Sequence, residues 1–433
     1  MSQPQLTHWF TGGKTLEFIY TASASSFNKS GSHPLPSEPE LFPSLSISEK
    51  ALLHHFTHEA SRVTCAPHVQ HELCQLILPM AAETPSLMQA SLAWSAIHSM
   101  SFGRRVGDIS DPELLIAKLK AKSIKYLRRE LQDQEHGGSD ALLATVRTLC
   151  HCEIHSGSDG SSAWRVHVKG AKALMRTIER SGKKRSTPRL LHRWYAALDS
   201  LVALTPSGNI DQEYTFQESV ERLPENAYID DYNGYSTDVS HILGNIGAAI
   251  AGRQQLTSSL SNVELEMQAS NLQIAILQIM GRENSSDPTF YPGVIEKLSP
   301  QAIKEYSLCN QAYQHTALIH IHRRLKNLPK TDCRVQDSVK KIIECVRSVA
   351  LAHGLSPAIV LTTPLFTAGC EAMGEDREAV RDLLLELYDM LRIRNIKITL
   401  DVLESCWASN VIEGDCEDIL RMYPIFGSEL FVG

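Results

Sequence analysis

No stretch of this chain is apolar for long enough to cross a bilayer. The best candidate, residues 358–370, is short and broken by Pro364, whereas a spanning helix needs about 20 apolar residues. The opening Met-Ser-Gln-Pro-Gln-Leu-Thr lacks the basic and then apolar pattern of a secretory signal. Positive charge is not in excess: 42 Lys and Arg stand against 49 Asp and Glu, a formal net charge of −7. A surface that reads nucleic acid is normally basic, so this balance argues against direct DNA or RNA contact. Aromatic residues make up only 6% of the chain, so any aromatic cluster has to be concentrated at one place. Gly-x-Gly-x-x-Gly after a strand, the phosphate-cradling Gly-x-x-x-x-Gly-Lys-Ser/Thr and the Gly-x-Ser-x-Gly elbow are all missing. Nicotinamide, flavin, nucleotide and serine-hydrolase chemistry therefore lack their usual seats, and no cofactor is expected. Ten cysteines are scattered from Cys65 to Cys416. Without a secretion signal they are expected as free thiols. That implies an intracellular chain, expected in the cytoplasm with the nucleus left open.

What is present is helical patterning. Hydrophobic residues at 43% support a sizeable core. The organising stretch runs from Asp140 to Ile178. Leu142, Val146, Leu149 and Cys150 recur at helical spacing behind Asp140, whose carboxylate can cap the first turn. The run Ser156-Gly-Ser-Asp-Gly-Ser-Ser162 stops that helix, and a second opens near Ala163 with Trp164, Arg165, His167, Gly170 and Ala171. Gly170 and Ala171 leave one face nearly bare, which predicts a close helix neighbour there. Further helices are predicted over residues 46–60 (with Ser48 as cap), 71–82, 85–100, 112–132, 190–204, 237–253, 261–280, 300–325, 337–353, 377–393 and 396–408. The Lys/Arg run Lys118 to Arg129 reads as the solvated face of an amphipathic helix. Gly182-Lys-Lys-Arg185 is a short basic loop, and Gly244, Gly247 and Ala248 mark a helix built for close packing. The expected fold class is all-α: a large array of packed antiparallel helices with a non-helical N-terminal arm.

The hairpin also carries a likeness. Leu149-Cys150, Glu153-Ile154 and Trp164-Arg165-x-His167-x-x-Gly170-Ala171 resemble the middle of the fungal-specific transcription-factor domain, the regulatory part that follows a binuclear zinc cluster in many fungal regulators. Other landmarks agree in order: Leu76 to Leu87 with Ala93 to His98, Ile229-Asp230 with Gly234-Tyr235, Pro364 to Glu371 with Asp376-Arg377, and Val402 to Trp407. The resemblance covers roughly Leu52 to Trp407. It implies an arm over residues 1–48 and one helical domain over 49–433. The family's zinc cluster needs six closely spaced cysteines, and no cysteine precedes Cys65. In its place stands a near-neutral arm with Trp9, Phe10, Phe18, Tyr20 and Phe27, expected to fold back on the helical body.

Polar residues on the hairpin are the candidate site. Glu153, His167 and Arg165 are the candidate catalytic groups. Trp164, Trp194, Tyr195, His151, Trp94 and Trp407 are candidates for lining a hydrophobic ligand. His54 with His58, and His151 with His155 beside Cys152, have helical metal-ligand spacing. Neither pair is backed by a fuller motif, and no metal is expected. A buried Glu153 paired with an imidazole or with Arg165 would stitch the hairpin together. Asp230-Asp231 lacks the third aspartate of a metal-binding cyclase motif.

Two functions follow. The favoured expectation is a cofactor-free cyclase of fungal specialised metabolism, closing a terpenoid or polyketide by a pericyclic, Diels–Alder-type reaction in an inherited ligand pocket. Orientation of a flexible substrate can contribute up to roughly 7–11 kcal/mol. The missing zinc cluster, the aromatic arm and the lack of an acidic or glutamine-rich tail beyond Trp407 favour it. The alternative is a ligand-sensing transcriptional co-regulator without its own DNA-binding domain. Either way the expected partner is a hydrophobic small molecule, with no direct nucleic acid, no membrane, and a homodimer left open.

Overall fold

The structure, a computed structural model, describes residues 45–104, 111–132, 140–157, 163–180, 189–205, 227–255, 260–351 and 355–408. Expectations for the aromatic arm, the Gly182–Arg185 loop and the segment beyond Trp407 lie outside those residues. Fourteen α-helices follow one another in the described chain. They are α1 (Ile47–His58), α2 (Pro67–Glu83), α3 (Pro85–Ser101), α4 (Pro112–Gln132), α5 (Asp140–Ser156), α6 (Ala163–Arg180) and α7 (Arg189–Val202). The series continues with α8 (Thr237–Gln255), α9 (Leu260–Ser285), α10 (Pro300–His320), α11 (Cys333–Ser348), α12 (Thr362–Glu371), α13 (Glu375–Leu391) and α14 (Arg394–Ala408). Among the described residues there is no sheet, only isolated bridges from Ile229 to Ser236 and to Phe290. No described helix is long and apolar enough to cross a membrane.

Local chemistry sets the helix starts. α1 begins at a capping box: the Glu49 amide donates to the Ser46 hydroxyl, and the Ser46 amide donates to the Glu49 carboxylate. The cap is Ser46, not Ser48, because only Ser46 has a glutamate three residues on. Pro112 opens α4 with the Leu114 amide donating to Asp111 at 2.9 Å. The Ser299 and Asp332 side chains cap α10 and α11 in the same way. α10 ends in a π-helical turn, Ile321–Leu325, where Arg323 pairs with the buried Glu371 at 2.8 Å.

Two helices are buried on nearly every side. α3 is wrapped by α1, α2, α4 and α5, and α5 also meets α6 and α14. Small residues permit this: Ala90, Ser91, Ala93, Ser95 and Ala96 in α3 are all buried, and the Ser95 hydroxyl donates to the Leu52 carbonyl at 2.6 Å. One contiguous apolar cluster joins residues from Leu52 to Cys406. Of the nine described cysteines, all free, seven are buried, Cys74 is half-buried and Cys333 is exposed.

Several expectations shift. Gly170 faces open space with nothing near its missing Cβ, so the close approach on α6 falls to the buried Ala171 alone. The apolar run around Pro364 is a helix, α12, entirely buried. Lys120 is not simply solvated: its ammonium reaches Glu153 at 2.6 Å. The small-residue face of α8 does pack closely. A Cβ on Gly247 would lie 2.4 Å from the Ala203 Cβ and 2.5 Å from its carbonyl oxygen.

Gly247→Ala is therefore expected to destabilise the protein by about 1–3 kcal/mol, although alanine in an open helix interior gains up to about 1 kcal/mol over glycine. Urea denaturation of the two proteins measures the sign. Gly170→Ala is the control, and should leave stability unchanged or raised.

Candidate functional site

α3, α5 and α7 bring three rings into one interior stack. Trp94 and His151 lie 5.0 Å apart between centroids at 26°, and His151 and Trp194 lie 5.2 Å apart at 30°. Phe56 and His155 meet Trp94 edge-on at 5.6 and 6.1 Å, and Tyr195 meets Trp194 edge-on at 4.9 Å. The Tyr195 hydroxyl donates to the Leu143 carbonyl at 2.9 Å, tying α7 to α5. A file of imidazoles leads toward the stack from α1. His55 Nε2 and His98 Nδ1 are 3.0 Å apart, with the tautomer deciding the donor. His155 acts electrostatically on His98 from the far side. Burial pushes these rings toward the neutral form. His98 falls to about 3, helped by His155 and His55. His155 falls to about 4, and His151, also opposed by Arg147, falls well below the usual histidine range.

Arg147 lies one turn before His151 on α5. It is buried, 5% exposed, and its guanidinium carbon sits over the Trp194 ring at 5.2 Å from the centroid. Its Nε and Nη1 have no hydrogen-bond partner, and neither does His151 Nε2 or Trp94 Nε1. Burial lowers Arg147 to about 10, so it stays charged at neutral pH. Arg147, His151 and Trp194 line a cavity of about 80 Å³ together with Cys65, Tyr232, Tyr235 and apolar neighbours.

The wall opposite α5 is the turn over residues 227–236, and ionic contacts hold it. Arg193 Nε donates to Asp230 at 2.6 Å and its Nη2 donates to Asp231. His68 Nε2 donates to Asp231 at 2.7 Å. The guanidinium is also pressed between Tyr232 and Tyr291, 4.2 and 4.4 Å from their centroids. Burial works against charge on Asp231, but hydrogen bonds from His68 and Arg193 outweigh it and hold the carboxyl well below the usual range. Within the turn, Asp230 accepts from the Tyr232 and Asn233 amides at 2.8 and 3.1 Å. Gly234, at φ 75°, passes so close to Val360 that a Cβ would approach its Cγ2 at 2.6 Å.

The structure brings together four of the candidate residues: Trp94, His151, Trp194 and Tyr195. Glu153 is buried on α5, but its partner is Lys120 of α4, so the carboxylate ties α5 to α4. His167 is half-buried, lowered chiefly by burial, with Glu153 acting the other way. Trp407 is remote from the stack: its Nε1 donates to the Gly369 carbonyl at 3.0 Å, and Arg377 and Arg381 lie over its ring. Trp164 and Arg165 fall within α6, but their side chains lie outside the described residues. His54 and His58 stack on each other at 4.1 Å. No described group of three His, Cys, Asp or Glu could hold a metal ion. Arg147, Arg193 and Tyr232 were not singled out in the sequence. Arg147 carried a signal nonetheless, as the single Lys or Arg of a helix whose neighbouring positions Val146, Leu149 and Cys150 are apolar.

Fold and site together define an all-helical body with an aromatic and cationic interior. The family comparison agrees: residues 51–426 match the fungal specific transcription factor domain, and the chain belongs to that family. Neither a curated protein nor a solved structure matches it significantly.

The imidazoles, His98 and His155 buried and His151 half-buried, make stability depend on pH. His98, His151 and His155 have folded values depressed below the ordinary 6.5. Their contribution is whole above that value and is lost as pH falls through it toward the folded values. Each can cost up to about 1.4 kcal/mol per pH unit. The thermal midpoint is expected to drop steadily from about pH 7 to about pH 5. A flat profile across that interval contradicts the buried neutral histidines.

Proposed function

We propose that this chain is the regulatory body of a fungal transcriptional regulator, switched by a small ligand held between α5, α7 and the 227–236 turn. The observation that carries this reading is the half-open cavity of about 80 Å³, lined by a buried guanidinium whose Nε and Nη1 lack partners, an imidazole and aromatic rings. Sites of this build, apolar and aromatic with a few converging polar groups, bind small molecules between helices. The acidic balance of the chain, −7 overall, leaves DNA contact to a partner or to a segment outside this sequence. Work on transcription takes place in the nucleus, so both compartments fit a regulator that moves between them.

The cyclase reading receives less support. A folded terpenoid or polyketide is drug-sized and needs a pocket of about 300–1,000 Å³, several times the space beside the Trp194 stack, which suits only a much smaller molecule. A larger space, about 470 Å³ between α11 and α13, is lined by Arg347, Asp382 and Glu386 with aliphatic residues and no aromatic ring. That lining is poorly suited to shaping a polyene. Glu153, the leading acid candidate, is engaged by Lys120 and is not among the residues lining either space.

Deletion of the gene separates the two readings. Regulation predicts changed transcript levels for a defined set of genes, with no build-up of an uncyclised precursor. Unchanged transcripts with an accumulating linear precursor would reverse the assignment.

A further inference from the structure

We propose that Arg147 anchors an oxyanion site: the cavity takes a compact carboxylate or phosphate, its charged group on the guanidinium and its remainder against Trp194 and Tyr232. This deepens the ligand-sensing reading and rests on it only for the purpose of binding, not for binding itself.

The argument begins with charge. A guanidinium does not shed its proton in a protein interior, and an uncompensated buried ion costs several kcal/mol. Folded chains therefore pair such groups or leave them at the surface. Arg147 does neither among the described residues: it is 5% exposed, no carboxylate lies within ion-pair distance, and its Nε and Nη1 lack acceptors. The groups acting on it electrostatically are Tyr195, Cys150 and Tyr232, with no carboxylate among them. The nearby acids are already committed. Asp230 and Asp231 take Arg193 and His68, and the Tyr232 hydroxyl donates to Glu72.

The surroundings are built to receive a flat or compact anion. Trp194 already covers one side of the Arg147 guanidinium, which leaves the fork's edges directed along its plane, the arrangement that binds carboxylate and phosphate in bidentate fashion. His151 is one turn away with Nε2 unpartnered, and it can donate from that nitrogen in one tautomer. The cavity's 80 Å³ holds the equivalent of two or three waters at about 30 Å³ each. Water would solvate the guanidinium but would not neutralise it. The half-buried Trp194, Tyr232, Asn233 and Val360 form the part of the lining nearest solvent.

The test uses the purified full chain at constant ionic strength, with thermal unfolding and calorimetric titration as readouts. Sodium acetate and sodium phosphate are the two probes, acetamide is the uncharged twin of the first, and sodium chloride is the baseline. The proposal expects saturable binding of one anion, a raised unfolding midpoint with that anion, and no effect of acetamide. A response to acetate alone assigns a carboxylate ligand, and a response to phosphate alone assigns a phosphate. Because phosphate also stabilises folded proteins without binding, the response counted is the part that disappears in Arg147→Met. That variant should be as stable as the parent, or more so, without ligand, and should bind the anion at least tenfold more weakly. Arg147→Lys, retaining charge without the fork, should be intermediate. No saturable binding of either anion to the parent overturns the proposal, as does binding unchanged in both variants. If Arg147→Met does not fold, the parent titration and Arg147→Lys still decide. Failure here leaves the transcript experiment untouched, so the two readings fall separately.

Discussion

The double ion pair of Arg193 with Asp230 and Asp231 is the joint on which the site depends. It fastens the 227–236 turn to α7, and His68 fastens Asp231 of that turn to α2. Two tyrosines hold the guanidinium flat between them. Buried ion pairs often contribute little net stability against an apolar substitute of equal volume, yet removing one partner is costly. What such a pair supplies here is position. It sets the turn at a fixed distance from α5, and the gap left between them is the cavity.

The same logic separates the two arginines. Arg193 is charge-matched, hydrogen-bonded and stacked, so it has no chemistry left to offer a ligand. Arg147 is stacked on Trp194 but not charge-matched. Pairing belongs to the frame and the unspent charge belongs to the site. The imidazoles occupy a third position: driven toward the neutral form, the half-buried His151 and the buried His155 behave as polar-edged aromatic rings packed on Trp94, and the buried His98 continues the file toward His55.

Much of the fold was readable because helix signals are local. Pro112 and Pro300 open helices expected from the sequence, and Asp140 was expected to cap another; the structure starts helices at all three. Boundaries slipped where a competing cap existed, as at Ser46 against Ser48. α12 was missed because Pro364 sits in its first turn, where proline is tolerated, and its apolar residues, interspersed with threonines, show no helical periodicity to read. The site was half legible. Trp94, His151, Trp194 and Tyr195 could be nominated as rings on helices, but periodicity does not say which helices share a neighbour. Glu153 illustrates the gap: its partner comes from α4, a helix whose lysines carried every sign of a solvated face. Arg193 and Asp230 lie 37 residues apart, and no local pattern links them.

The sulfur atoms give this body a built-in reporter. Burial raises the thiols of Cys65, Cys150 and Cys152 far above the ordinary cysteine range, so the nucleophilic thiolate is suppressed along with access. Cys333, at the start of α11, is exposed. A thiol reagent therefore meets an outer cysteine at once and the inner ones only when the helices part. Cys65, whose Sγ donates to the Tyr232 carbonyl at 3.2 Å, stands in the cavity wall itself, so its labelling rate records how often that wall breathes.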